Sequence, residues 1–156
     1  MARQPVQVHI FLFRMSGEEY EYAIFQRADM PECWQGVCGG AEDAETIWEA
    51  ARMELLEEAG VTGENPLYKL ESISYLPDDI FSTKGRSIWG KDVVVVPMYF
   101  FAMPFDGEIV LSEEHTAVAW LPYDEAYQKI LFKDQQIALY ELKERLLRGN
   151  LSCREN

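Results

Sequence analysis

The chain has 156 residues, 14 Lys and Arg against 27 Asp and Glu, a formal net charge of −13 and 48% hydrophobic residues. A chain of this length buries roughly two-thirds of the surface it exposes when unfolded, so it needs neither a metal nor a disulfide to hold a core. Its apolar content excludes a disordered chain, and its acidity excludes a sequence-wide basic surface for duplex nucleic acid.

Residues 6–13 alternate, Val6, Val8, Ile10 and Leu12 against Gln7, His9, Phe11 and Phe13, which is the period-two pattern of a strand with one strongly apolar face. Ser16-Gly17-Glu18-Glu19 turns the chain, and residues 20–26 supply a second, antiparallel strand. His9 lies among apolar neighbours and is expected to be a satisfied strand histidine. From residue 43 to 59 the pattern becomes helical, ending at Gly60 as a C-terminal cap. Residues 68–76 and 93–103 read as strands separated by a polar and aromatic loop, with shorter strands at Val110 and residues 117–121. Helices follow over residues 124–130 and 134–148. Strands interspersed with too few helical crossovers for an all-parallel sheet predict an α+β fold, a mixed sheet covered by helices, in one domain over residues 1–156.

The longest apolar run, residues 92–103, is too short to cross a bilayer and contains Pro97. The N-terminus leads into the first strand without an apolar signal region. Three cysteines, Cys33, Cys38 and Cys153, form an odd set without CxxC spacing, which points to reduced thiols. Together these predict a cytoplasmic protein with no membrane partner.

The informative segment runs from Gly39 to Val61. At about 100° per residue, Glu54, Glu57 and Glu58 fall within an arc of roughly 100° on one helix face. Unpaired, these carboxylates repel by a few tenths of a kcal/mol per i,i+4 pair, and no Lys or Arg stands at i+4 to relieve them. A hard divalent cation would, since Mg²⁺ is held by a few carboxylates together with substrate phosphates. The same face begins as apolar contact at Ile47, Ala50 and Ala51, unlike an ordinary solvated face. The preceding Gly39-Gly40 loop permits close backbone approach to a phosphate or metal. A solvated acidic stripe remains the competing reading of the charges alone.

This segment resembles the box of the Nudix hydrolases, G-x5-E-x7-R-E-U-x-E-E-x-G-U with U aliphatic. Gly39, Glu45, Glu54, Leu55, Glu57, Glu58, Gly60 and Val61 fill eight of its nine specified positions in register; Met53 stands where the family has arginine. The resemblance extends to the Trp34-Gln35-Gly36-Val37 lead-in and the Glu114-His115 to Trp120-Leu121 segment, nearly the whole chain. It implies an α/β/α sandwich and hydrolysis of a pyrophosphate bond. It also implies Mg²⁺ or Mn²⁺ on Glu54, Glu57 and Glu58, with the backbone carbonyl of Cys38 completing the metal set. Glu57 or Glu58 could take the water's proton; in several members the base is a glutamate outside the box, which makes Glu114 a catalytic candidate. His115 could position a carboxylate, and Glu45 is expected to brace the glycine loop or the helix start.

A chain of net charge −13 repels a polyphosphate, so cations must be placed locally. Arg27, Trp34, Lys84 and Arg86 are the substrate-contact candidates, the last two in the loop over residues 78–91, which carries Phe81 and Trp89 and reads as a mobile lid. The lead-in looks like the group acting on nucleoside triphosphates, including dihydroneopterin triphosphate, and so implies a small nucleoside polyphosphate as partner. Dinucleoside polyphosphate or nucleotide-sugar hydrolysis is the alternative, and a non-catalytic nucleotide-binding module, favoured by Met53, is a third. Assembly is left open, with a homodimer among its outcomes.

Overall fold

The computed structural model describes residues 3–156, apart from the side chains of residues 84 and 85. Among the described residues seven strands form one mixed sheet: β1 (Arg3–Ser16), β2 (Glu19–Arg27), β3 (Trp34–Gln35), β4 (Val37–Glu42), β5 (Tyr68–Pro77), β6 (Val95–Pro104) and β7 (His115–Pro122). Four helices accompany it, α1 (Ile47–Ala59), α2 (Thr83–Trp89), α3 (Tyr123–Lys129) and α4 (Lys133–Arg148). β1 is the hub, antiparallel to β2 and β4 and parallel to β6, while β5 pairs β6 and β7 pairs β2.

The alternation in β1 does not separate a wet face from a dry one, because residues 7–13 are all buried. Val8, Ile10 and Leu12 pack with Val37, Ala41, Ala51 and Leu55 under α1. Phe11 and Phe13 pack with Phe100, Ala126, Ala138 and Leu142 under α3 and α4. A sheet covered on both faces needs apolar residues at both parities of its central strand. Gln7 and His9 are the polar exceptions; His9 is satisfied only at Nε2, which accepts the Gly36 N–H at 3.0 Å, while its Nδ1 has no partner. Burial holds its imidazole down to about 3, so it is neutral across the physiological range.

α1 starts later than the sequence pattern predicts. Asp43 adopts φ 50°, which no helix continues through, and Thr46 closes a capping box with Glu49, fixing Ile47 as the first helical residue. Gly60 ends the helix at φ 67° as predicted. The glycine pair expected in a loop lies inside β4, bonded to β1 through Gly39↔Val8 and Gly40↔Gln7. No strand forms at Val110; its N–H donates instead to the Ala59 carbonyl at 2.9 Å, which ties this segment to the end of α1. The 78–91 stretch is not an open loop either. It holds a 3-10 turn, Asp78–Ile80, then α2, and the Trp89 indole donates to the Arg3 carbonyl at 2.6 Å while meeting Phe81 edge-on.

Candidate active site

The acidic face of α1 lies against the middle of β4. A Cβ on Gly39 would overlap the Glu54 carboxylate, so only glycine lets strand and carboxylate come together there. This places the Cys38–Gly39 peptide beside Glu54 and turns the Cys38 thiol to the opposite face, 3.7 Å from the Met98 sulfur. Oxygen atoms of Glu54, Glu57 and Glu58 all lie within 4.8 Å of one another.

The cluster is electrostatically frustrated. Burial, then the charges of Glu57 and Glu58, pushes the Glu54 carboxyl up to about 8, and the Arg3 guanidinium is the cation that pulls it back. Arg3 sits at the start of β1, 3.6 Å from Glu42. Met53 is 43% exposed, and Arg52 is committed elsewhere, to Glu155 at 2.7 Å and the Asn65 carbonyl at 2.9 Å. No helix arginine therefore neutralises these glutamates. Glu58 is raised by burial, against the Ser112 hydroxyl that donates to its Oε2 at 2.7 Å. His115 Nδ1 lies 3.3 Å from the same oxygen, and burial lowers its imidazole pKa. Close carboxylate oxygens, those of Glu54 and Glu58 buried and that of Glu57 exposed, with no helix arginine to neutralise them, are a donor set a hard divalent ion takes.

Glu45 braces the turn ahead of the helix, accepting the Glu42 N–H at 2.8 Å. Glu114 is exposed on the segment before β7, its N–H on Ser112 Oγ at 3.2 Å. Ser112 thus links Glu58 to the backbone of Glu114, a connection without any sequence signal beyond a lone serine.

Beside this cluster opens a cleft of about 980 Å³ lined by Cys38, Arg27, Glu114 and His115 at one side and by Leu76, Ile80, Phe81 and Phe132 at another. Arg27 is held by Asp29 through two hydrogen bonds, at 2.6 and 2.9 Å. Trp34 is outside the cleft lining, its ring covered by the Lys129 ammonium at 4.4 Å. Arg86 lies 3.6 Å from Asp78 and lines a separate recess of about 380 Å³. The Lys84 side chain lies outside the described residues. Sequence reading passed over Gln7, Gln35, Asp134 and Gln135, which also line the cleft. The available signal was a glutamine inside an apolar strand, at Gln7, and another on the apolar side of the last helix, at Gln135.

The NUDIX domain model matches residues 3–143. The chain belongs to the Nudix family. A crystal structure of a candidate Nudix hydrolase from Listeria monocytogenes str. 4b F2365 is 34% identical, with a TM-score of 0.84, covering 95% of this chain and 98% of that one. Asymmetrical bis(5'-nucleosyl)-tetraphosphatase from Sus scrofa is 28% identical over 78% of this chain and 77% of its own length. Dihydroneopterin triphosphate diphosphatase from Escherichia coli K12 is 27% identical over 76% and 79%. The mixed sheet flanked by helices is the Nudix fold, and the chain is a pyrophosphohydrolase of that family. Among the described residues no helix is long and apolar enough to cross a membrane.

Proposed function

We propose that this Nudix protein hydrolyses a pyrophosphate bond in a nucleoside triphosphate-like substrate, releasing a monophosphate and pyrophosphate. The observation that carries the reading is the convergence of Glu54, Glu57 and Glu58 within 4.8 Å, beside a cleft large enough for a nucleotide. The two named relatives act on a pterin triphosphate and a dinucleoside tetraphosphate, so the substrate class is a polyphosphate carrying a planar heterocycle.

Glu54, Glu57 and Glu58 would hold Mg²⁺ or Mn²⁺, with the Cys38 carbonyl the backbone candidate beside them. Bound there, the ion supplies charge neutralisation for the phosphate oxygens and a more acidic attacking water. The Ser112 hydroxyl orients Glu58, with the His115 imidazole packed beside it. Glu114 is the proposed general base, exposed at the cleft where a water can reach it. Arg27, kept in place by Asp29, offers its remaining N–H groups to the phosphate chain. Free thiols at Cys33, Cys38 and Cys153 fit a cytoplasmic setting.

The test is phosphate and pyrophosphate release from a panel of nucleoside triphosphates, dinucleoside polyphosphates and nucleotide sugars with Mg²⁺. Triphosphates should be preferred, and Glu57→Gln should lower turnover by about a hundredfold or more, the scale of losing a central electrostatic group. Full turnover in Glu57→Gln would refute the assignment; a preference for dinucleoside tetraphosphates would move the substrate to that class.

A further inference from the structure

Three glutamines with 5 to 7% exposure, Gln7, Gln35 and Gln135, line one cleft. Gln35 is accounted for, since its Oε1 takes the Cys33 thiol at 3.6 Å. Gln7 Nε2 and Gln135 Oε1 have no hydrogen-bond partner. Burying an amide atom without a partner is costly, and such groups persist where a ligand completes them.

Their placement follows from the sheet. Gly40, Gln7, Met98 and Ser74 form a row across β4, β1, β6 and β5. The Ser74 hydroxyl donates to Asp134, whose other carboxylate oxygen accepts the Gln135 N–H at 3.0 Å. With strands about 4.8 Å apart, the row spans roughly 14 Å, so Asp134 and Gln135 stand a nucleotide's length from the glycine strand that abuts Glu54. Met98 lies between Gln7 and Ser74 in that row, and the cleft adds Phe81 and Phe132 as apolar surface for a flat ring.

We propose that Gln7, Asp134 and Gln135 form a recognition site for the 2-amino-4-oxopyrimidine edge shared by guanine and pterins. Gln7 Nε2 donates to the ring carbonyl; Gln135 Oε1 and the Asp134 carboxylate accept from the ring N–H and the amino group. An adenine edge reverses the pattern, with an amino donor where guanine has its carbonyl and a ring acceptor where guanine has its N–H, which leaves Gln7 Nε2 and Gln135 Oε1 both unpaired. Discrimination follows from those two unpaired buried atoms. The inference rests on the nucleotide-hydrolase reading above and names the heterocycle that the cleft selects.

The test is calorimetric binding of GMP and AMP to the full chain in EDTA, where nothing is turned over, with Gln135→Met, Gln7→Met and Asp134→Asn beside the wild type. Unfolding midpoints confirm that each variant is folded, and Asp134→Asn, which can keep the Ser74 bond, serves if a glutamine variant is not. Wild type should bind GMP at least tenfold more tightly than AMP. Each variant should lose most of that preference, and with GTP in Mg²⁺ the change should appear in KM more than in kcat. Equal affinity for the two monophosphates, or variants that bind GMP as wild type does, would overturn the proposal even if every triphosphate were hydrolysed. A GMP preference lost in the variants, in a protein that hydrolyses no triphosphate, would uphold this site and reject the hydrolase reading.

Discussion

Replacing Glu54 by glutamine should make the metal-free protein more stable, and the gain should grow with pH. The Glu54 carboxyl ionises near 8 in the fold against 4.5 in an unfolded chain. The folded state therefore binds the proton more tightly, and the stability this contributes is present below 4.5 and lost as pH rises through 8. Linkage puts the loss from this one group at about 2.5 kcal/mol between pH 5 and 7, and at about 5 kcal/mol in total above 8. Glu57 is exposed and part of the repulsion is screened by salt, so about 1 to 2 kcal/mol between pH 5 and 7 is the working figure. Urea unfolding of wild type and Glu54→Gln in EDTA at pH 5, 7 and 8.5 measures it. The two curves should nearly meet at pH 5 and separate above it. Mg²⁺ should then restore the wild type alone, by about 2.7 kcal/mol at a hundredfold excess over its dissociation constant. A gap that does not change with pH, or a variant less stable throughout, would show that Glu54 is not held against its own charge.

Two further expectations concern the scaffold. Gly39→Ala should displace the Glu54 carboxylate, the end of a flexible side chain, at little cost in stability but with loss of most of the Mg²⁺-induced stabilisation, both readable in one thermal-shift titration; unchanged metal response would mean that the close strand approach is dispensable. His9, with its imidazole held down to about 3 against an ordinary 6.5, leaves the unfolded state binding more protons below neutrality. Its stabilising effect is complete above 6.5 and is lost as pH falls towards 3, by about 2 kcal/mol between pH 7 and 5. His9→Gln should lack that increment in a comparison of unfolding at the two pH values, and equal losses would contradict it.

The glutamate face was legible because α1 repeats with a fixed period, so spacing alone brings Glu54, Glu57 and Glu58 together. The late start of α1 was not, since Asp43 and Glu45 suit a helix locally and yield only to the Thr46 capping box. Gly39 and Gly40 looked like a loop because strand propensity disfavours glycine; what places them in β4 is the side chain across from them, which no local rule contains. The glutamines of the cleft wall were invisible for the same reason. Gln7 and Gln135 are 128 positions apart and meet one cleft only through the row that ends at Ser74 and Asp134. Trp34 and Arg86 show the converse, suitable chemistry in the sequence whose placement leaves them off the cleft lining.

The separation of the cleft wall from the glutamate helix bears on how such a protein changes its substrate over evolutionary time. Ile80, Phe81 and Phe132 lie on the connections into α2 and α4, and the backbone groups of Phe81 and Phe132 bond to Asp78 and Gln136. None of these bonds involves α1 or β4, so a lineage can exchange wall residues, and even lengthen those connections, without disturbing the three clustered carboxylates of α1. Gln7 and Cys38 are exceptions, because β1 and β4 line the cleft on one parity and pack under α1 on the other. Drift in specificity should therefore run through the second half of the chain, with the glutamate helix and the glycine strand against it held fixed by their close approach.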